Sequence, residues 1–160
     1  MKKLSLIIVC AVAALCFASC QTANSEDANG NTPSTVVEKM YQAIKANDYA
    51  LATSYTKIPD NVKIVKENLY EQFVNNPIDE NGKVVVSSDE WRAFLIEKME
   101  LQSEGYSLDS WEIVSVEISK TDPNSAKVKT KIRITTQNGQ SEAECSFPLK
   151  RENNIWLIIG

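Results

Sequence analysis

The chain has 160 residues, with 17 lysines and arginines, 21 aspartates and glutamates and no histidine, which allows one ordinary domain with a modest acidic excess. An acidic balance argues against a nucleic-acid partner, because phosphate backbones are bound by clustered cations. The missing histidine removes the commonest general base and metal ligand near neutral pH. No phosphate loop, cysteine cluster or zinc spacing appears, so neither a cofactor nor a metal is expected.

The first element is a leader. "MKKLSLIIVCAVAALCFAS" puts two lysines before an apolar run from Leu4 to Phe17 and closes on the small residues Ala18 and Ser19, which is the layout of an export signal over residues 1–19. The run is short for a membrane-spanning helix. Loss of Lys2 and Lys3 with the leader leaves 15 basic against 21 acidic side chains, a net charge of −6, which repels anionic lipid and phosphate. Three of the four cysteines (Cys10, Cys16 and Cys20) lie in or at the end of the leader. The body keeps Cys145 alone, with no second body cysteine to pair with.

"FASC" resembles the lipobox of bacterial lipoproteins, with cleavage between Ser19 and Cys20 and lipidation of Cys20. Ala18 and Ser19 fit that pattern, whereas leucine is the usual residue where Phe17 stands. The resemblance implies an N-terminal lipid anchor in the cell envelope, at the outer membrane, on its periplasmic or its surface-exposed face. The plainer alternative is ordinary secretion, with Cys20 removed or left as a free thiol. Two or three acyl chains anchor stably, whereas one binds only reversibly, at about 0.8 kcal/mol per buried methylene. Residues 20–31, with "QTANSEDANGN" after the cysteine, contain no apolar side chain larger than alanine and read as a disordered tether with a reach of about 20 Å. Ser25, Glu26 and Asp27 resemble the acidic signal that sends some Bacteroidetes lipoproteins to the cell surface.

The body is expected over residues 32–160. Thr32 and Pro33 start a helix as N-cap and first helical residue, and Val36, Val37, Met40, Tyr41 and Ile44 recur at helical spacing. "AND" at 46–48 breaks it, and "YALATSYT" supplies a second, short helix. Val62, Val65, Leu69 and Phe73 predict a third helix, ended by Asn75, Asn76 and Pro77. "DENGKVVVSS" predicts a small hairpin or flap around Asn81-Gly82. Ser87 and Glu90 form a capping box for a fourth helix, striped by Trp91, Phe94, Leu95 and Met99 and ending at Gly105.

From Trp111 the period changes to two. Val114, Val116 and Ile118 alternate with polar residues, and so do Ala126, Val128, Thr130, Ile132 and Ile134. With Asn138-Gly139 as a two-residue hairpin loop, Ile134 faces Ala143, Ile132 faces Cys145, Thr130 faces Phe147 and Arg133 pairs with Glu144. Pro148 then falls where a ladder N–H is wanted, which predicts a bulge or frayed pairing there. The strand "NIWLIIG" ends the chain. The fold class is α+β, with N-terminal helices packed on a C-terminal antiparallel β-sheet.

This order of parts, together with "TPSTVVEKMYQAIKANDYALATSY" and the closing "NNIWLII", resembles the nuclear transport factor 2-like superfamily, the cystatin-like cone. Within it the chain is most similar to domains of unknown function carried by Bacteroidetes lipoproteins. The resemblance covers about Thr32 to Gly160. That superfamily holds ketosteroid isomerase-type enzymes, dehydratases, scaffolds and plain binding pockets, so it selects no function.

An isomerase-type site needs a carboxylate base in the cavity and a hydroxyl or protonated acid beside it. Asp48, Asp60, Asp89 and Asp109 are the acids nearest apolar segments, and each stands where a cap or turn also uses aspartate. Cys145 reads as an inert core thiol. Tyr41, Tyr55, Trp91, Trp111 and Trp156, together with Tyr70, either line a ligand pocket between helices and sheet or form the core, and helical spacing favours core. Lys127, Lys129, Lys131 and Arg133 read as a solvated sheet face partly neutralised by Glu142 and Glu144. The sequence therefore predicts a non-enzymatic domain, anchored to the membrane by lipid, that binds a small ligand or an envelope protein. A structural or assembly role without ligand is the alternative, and a cone-type lyase or isomerase the more remote one.

Overall fold

The structure, a computed structural model, describes residues 26–159. The leader, its cleavage point at Ser19 and the lipidation site Cys20 lie outside the described residues. Helix α1 (Pro33–Lys45) starts as the sequence dictates. Thr35 N–H donates to Thr32 Oγ1 (3.3 Å) and Thr32 N–H to Thr35 Oγ1 (2.7 Å), a reciprocal box that satisfies orphan donors of the first turn. Asn47 stops the helix with φ +58°, a left-handed turn that asparagine tolerates. Asp48 then caps α2 (Tyr49–Ser54), accepting from Leu51 N–H at 3.0 Å.

The third expected helix does not form. Asn61–Ile64 is strand β2, followed by two short 3₁₀ turns, Lys66–Asn68 and Glu71–Phe73. The β-branched run Val62-Lys63-Ile64 alternates faces, and pairing with β3 (Val84–Ser87), Val62 against Val86 and Ile64 against Val84, satisfies its backbone. The expected small hairpin forms around Asn81-Gly82: Gly82 turns the chain at φ +74°, Ile78 bridges Val84, Asp79 N–H donates to Lys83 O (2.8 Å) and Val85 N–H to Pro77 O (2.8 Å). Val84–Ser87 also pairs with β2, upstream of the 3₁₀ turns. Helix α3 (Ser88–Ser103) carries the expected Ser87–Glu90 capping box.

Strand β1 (Thr56–Lys57) and the strands β4 (Tyr106–Ile118), β5 (Ser125–Thr136), β6 (Gly139–Glu152) and β7 (Ile155–Ile159) form one sheet, in the order β1-β7-β6-β5-β4. It is mixed, because β1 runs parallel to β7 (Thr56 beside Ile158) while the other pairs are antiparallel. The β5–β6 register is two residues away from the one expected. Thr136 pairs with Gly139, Ile132 with Ala143, Thr130 with Cys145 and Arg133 with Glu142. The loop is Gln137-Asn138, held by the Thr136 hydroxyl, which accepts from Asn138 N–H (3.2 Å) and donates to Gly139 O (3.1 Å). Gly139 alone of that turn takes positive φ, at 112°. A two-residue slip keeps every side chain on its face, so the apolar pattern did not report it. The turn with both centres left-handed is Asn153-Asn154 (φ 49° and 60°), between β6 and β7.

No bulge occurs at Pro148. The β5–β6 register runs straight through Lys127–Pro148, and β6 begins to pair with β7 only at Leu149. The irregularities lie in β4 instead, between Leu108 and Ser110 and between Ile113 and Ser115. They bend an edge strand, a common device at sheet margins.

Two apolar cores result. The first gathers Val36, Val37, Met40 and Tyr41 of α1 with Val128, Leu149, Trp156 and Ile158 of the sheet. The second, under β2 and β3, holds Ile64, Phe73, Val84, Val86 and Phe94. Helix α3 joins them, with Trp91, Phe94 and Leu95 in the second core and Met99 against the first.

The expected tether is folded from residue 26 onward. Asp27 is 7% exposed, and its carboxylate accepts from the backbone N–H groups of Asn29 (2.8 Å), Asn31 (2.9 Å) and Trp156 (3.1 Å). Ala28 N–H donates to Asn154 O (2.8 Å) and Arg151 Nη1 to Glu26 O (3.3 Å). "DANGN" is polar because its side chains close a turn, so polarity here does not mean disorder. The folded unit therefore includes residues 26–31, ahead of Thr32.

Candidate functional site

The residues singled out from sequence divide between the two cores. Tyr41 is buried in the first, stacked on Trp111 (ring centroids 5.6 Å apart) and edge-on to Phe147 (5.7 Å). Its hydroxyl lies 2.8 Å from Thr130 Oγ1, a side chain with no exposed surface. Burial pushes the Tyr41 phenol well above its ordinary range, against the opposing bond to Thr130 and with a smaller push from Cys145. Cys145 is half-buried beside this pair as a free thiol. Trp156 is 1% exposed with Arg151 stacked over its ring, and Tyr55 is half-buried against the same core. Trp91 sits apart in the second core against Phe73 and Phe94, where Tyr70 also packs on Phe94. Tyr41, Tyr55, Trp111 and Trp156 are thus brought together as packing, and Trp91 and Tyr70 are not among them.

A cavity of about 280 Å³ opens elsewhere, where the end of α1, the start of α2, the end of α3 and the start of β4 converge. Ile44, Met99 and Leu108 give it apolar surface, and Lys45, Asn47, Tyr49, Ser103, Tyr106 and Ser107 add polar groups. None of the lining residues is acidic. Tyr49 Oη donates to Asn47 Oδ1 at 2.9 Å, which ties the left-handed Asn47 to the start of α2. Burial raises the Tyr106 phenol above its ordinary value, with a smaller contribution from Tyr49. Lys45 Nζ donates to Asp109 O and lies 5.9 Å from the Trp111 ring. Among the described residues no carboxylate lies within ion-pair distance of that ammonium. A partly apolar cavity with a few convergent donors and one cation is what a small ligand site requires.

The four candidate acids lie outside this cavity. Asp48 caps α2, Asp60 is exposed between β1 and β2, and Asp89 is exposed in the first turn of α3. Asp109 is held by Thr135 Oγ1 (2.7 Å), Gln140 Nε2 (3.4 Å) and Ser107 Oγ (3.3 Å). On the outer sheet face Lys129 pairs with Glu117 (3.6 Å), and Lys131 (2.6 Å) and Arg133 (2.8 Å) converge on Glu142, whose carboxyl they hold down at about 2. Among the described residues no group of three cysteines or carboxylates gathers in metal-binding geometry, and no helix is long and apolar enough to cross a membrane.

Helices on one face of a bent, mostly antiparallel sheet place the chain among known structures. It superimposes on an NTF2-like protein of unknown function from Shewanella oneidensis with a TM-score of 0.50 and 13% identity, over 79% of this chain and 91% of that one. The fold is the NTF2-like cone. A sec-C motif protein from Psychrobacter arcticus matches with the same TM-score, 0.50, and 13% identity over 81% of this chain and 59% of that one. A DUF4783 family protein from Bacteroides ovatus aligns over 76% of this chain and 86% of that one at 16% identity, with a TM-score of 0.39, too loose a superposition to support an inference. No protein-family model matches the chain, and no curated protein matches it significantly. At such identities the likeness extends to the cone and not to what the cone does.

The cavity residues carried little signal in the sequence. Asn47 marked a helix break and Tyr49 a helix start, but nothing local says that Met99, Ser103 and Tyr106 come to meet them.

Proposed function

We propose that this NTF2-like cone is a non-enzymatic binding domain of the cell envelope, held at a membrane by lipid on Cys20, whose cavity at the end of α1 takes a small ligand. The cavity itself carries the reading: apolar surface from Ile44, Met99 and Leu108, phenol hydroxyls at Tyr49 and Tyr106, and no acid in the lining. The ammonium of Lys45, bonded to the Asp109 carbonyl and to no carboxylate among the described residues, favours a compact, partly apolar molecule with an acceptor-rich or anionic head. Proton abstraction would need a base; Asp109, two residues beyond the lining Ser107, is already bonded by three side chains, and Asp48, between the lining Asn47 and Tyr49, is taken up in capping α2. The lipid anchor rests on "MKK", the apolar run and "FASC".

Native mass spectrometry of the protein after incubation with extract of its own cells tests the cavity. A small added mass on the wild type, absent from Ser103→Trp, supports it. A bare mass for both contradicts it. Retention of Cys20→Ala in membranes contradicts the lipid.

A second reading, a partner protein in place of a ligand, draws on β4. That edge strand pairs with β5 on one side only and exposes Val114 (56%), Val116 (42%) and Ile118 (38%).

A further inference from the structure

The cone has two distinct ends. Strands β5 and β7 start, and β4 and β6 finish, at the end that carries the 119–124 turn, Asn153-Asn154 and the Asp27 turn. Helix α1 also begins there, at Pro33. Strand β4 starts at the opposite end, where α1 and α3 finish and the Gln137-Asn138 loop and the cavity lie. Strand β6 has 14 residues, so the ends lie at most about 45 Å apart at ~3.3 Å per residue.

The chain between Cys20 and the folded unit is much shorter than this. Because Glu26 O is bonded by Arg151, Ala28 N–H by Asn154 and the Asp27 carboxylate by Trp156 N–H, only Gln21–Ser25 separate the cysteine from the cone. Fully extended, that link spans at most about 20 Å. The Asp27 end therefore cannot leave the membrane by more than that, whatever path residues 21–25 take. Two acids of this end, Asp122 and Glu152, are each paired to a lysine, Lys150 and Lys57, which reduces its repulsion from anionic headgroups.

We infer that the Asp27 end of the cone is the membrane-proximal face and that the cavity opens on the far end, so that its ligand arrives dissolved in water and is not a lipid taken from the bilayer. This rests on the lipid-anchored reading above. The Asp27 turn is the orienting element, since without it the stretch between Cys20 and α1 would lengthen to eleven residues, Gln21–Asn31.

The full-length protein, produced in cells that process lipoproteins, is reconstituted on phosphatidylcholine vesicles containing an acceptor-labelled headgroup lipid. A donor dye is placed at Asn124→Cys or at Asn138→Cys, both exposed turn positions at opposite ends, in a Cys145→Ser background. The inference expects energy transfer several-fold stronger from position 124 than from position 138. It also expects this difference to shrink when Asp27→Ala is added. Lys120→Cys and Gln137→Cys repeat the comparison should either first label disturb its turn. Equal transfer from both ends, or stronger transfer from position 138, in protein that floats with the vesicles overturns the orientation. Protein that does not float with the vesicles overturns the anchor on which it rests.

Discussion

The two ends of the cone use polar side chains in opposite ways. At the Asp27 end a buried carboxylate takes three backbone N–H groups. At the far end Tyr106 lines an open cavity with Ile44 and Leu108, and the Tyr49, Ser103 and Ser107 hydroxyls beside it each donate one bond, to Asn47 Oδ1, Glu100 O and Asp109 Oδ1, and keep their oxygens as acceptors on the cavity side. Satisfied polar groups lock a structure, whereas hydroxyls turned toward a cavity are there for something else to bond. The contrast separates the part of the molecule that supplies stability from the part that supplies recognition.

The largest effect comes from emptying the closed end. Trp156→Ala removes the largest fully buried side chain and is expected to cost about 3–5 kcal/mol in chemical denaturation. Asp27→Ala leaves the Asn31 and Trp156 N–H groups without their acceptor, and about 2–3 kcal/mol is expected. A chain begun at Thr32 should be destabilised to a similar degree, and one begun at Glu26 should not.

Acid should weaken the same turn. Burial alone would raise the Asp27 carboxyl, but N–H bonds from Asn31, Trp156 and Asn29 outweigh it and leave the group below its ordinary value. Its contribution is then complete above the unfolded carboxyl value of about 3.9 and fades as pH falls through the lower folded value. Denaturation midpoints measured down to about pH 2.5 should therefore fall less steeply in Asp27→Asn than in the wild type. The smallest effect on stability lies at the open end, where Tyr106→Phe should change it by less than about 0.5 kcal/mol. The same substitution should weaken ligand capture in native mass spectrometry. A large loss of stability instead would make that hydroxyl part of the closed structure and erase the contrast.

What could be read from the sequence followed the range of the interactions involved. Thr32-Pro33 and the Ser87–Glu90 box are decided within four residues, and both helices begin where those residues place them. The alternation in β5 placed Val128 and Thr130 inward, and both are fully buried. The misses come from longer-range competition. Val62 and Phe73 fit a helical period, yet β3 offered residues 61–64 a partner some twenty residues later. Asn138-Gly139 had the composition of a left-handed turn, but the Thr136 hydroxyl fixed the loop one residue earlier, while Asn153-Asn154 took the left-handed pair. Asp27 looked like part of a tether because its partner, Trp156 N–H, lies 129 residues away. The cavity depends on four element ends meeting, which no local pattern encodes.

Amide hydrogen exchange on the intact protein tests the contrast most directly. The account predicts that the Asn31 and Trp156 amides, bonded to Asp27, exchange among the slowest in the chain, while the amides of Tyr106 and Ser107 exchange faster and become protected when ligand is bound. Asn31 and Trp156 amides that exchange as fast as those of the exposed Gln137-Asn138 loop would contradict it.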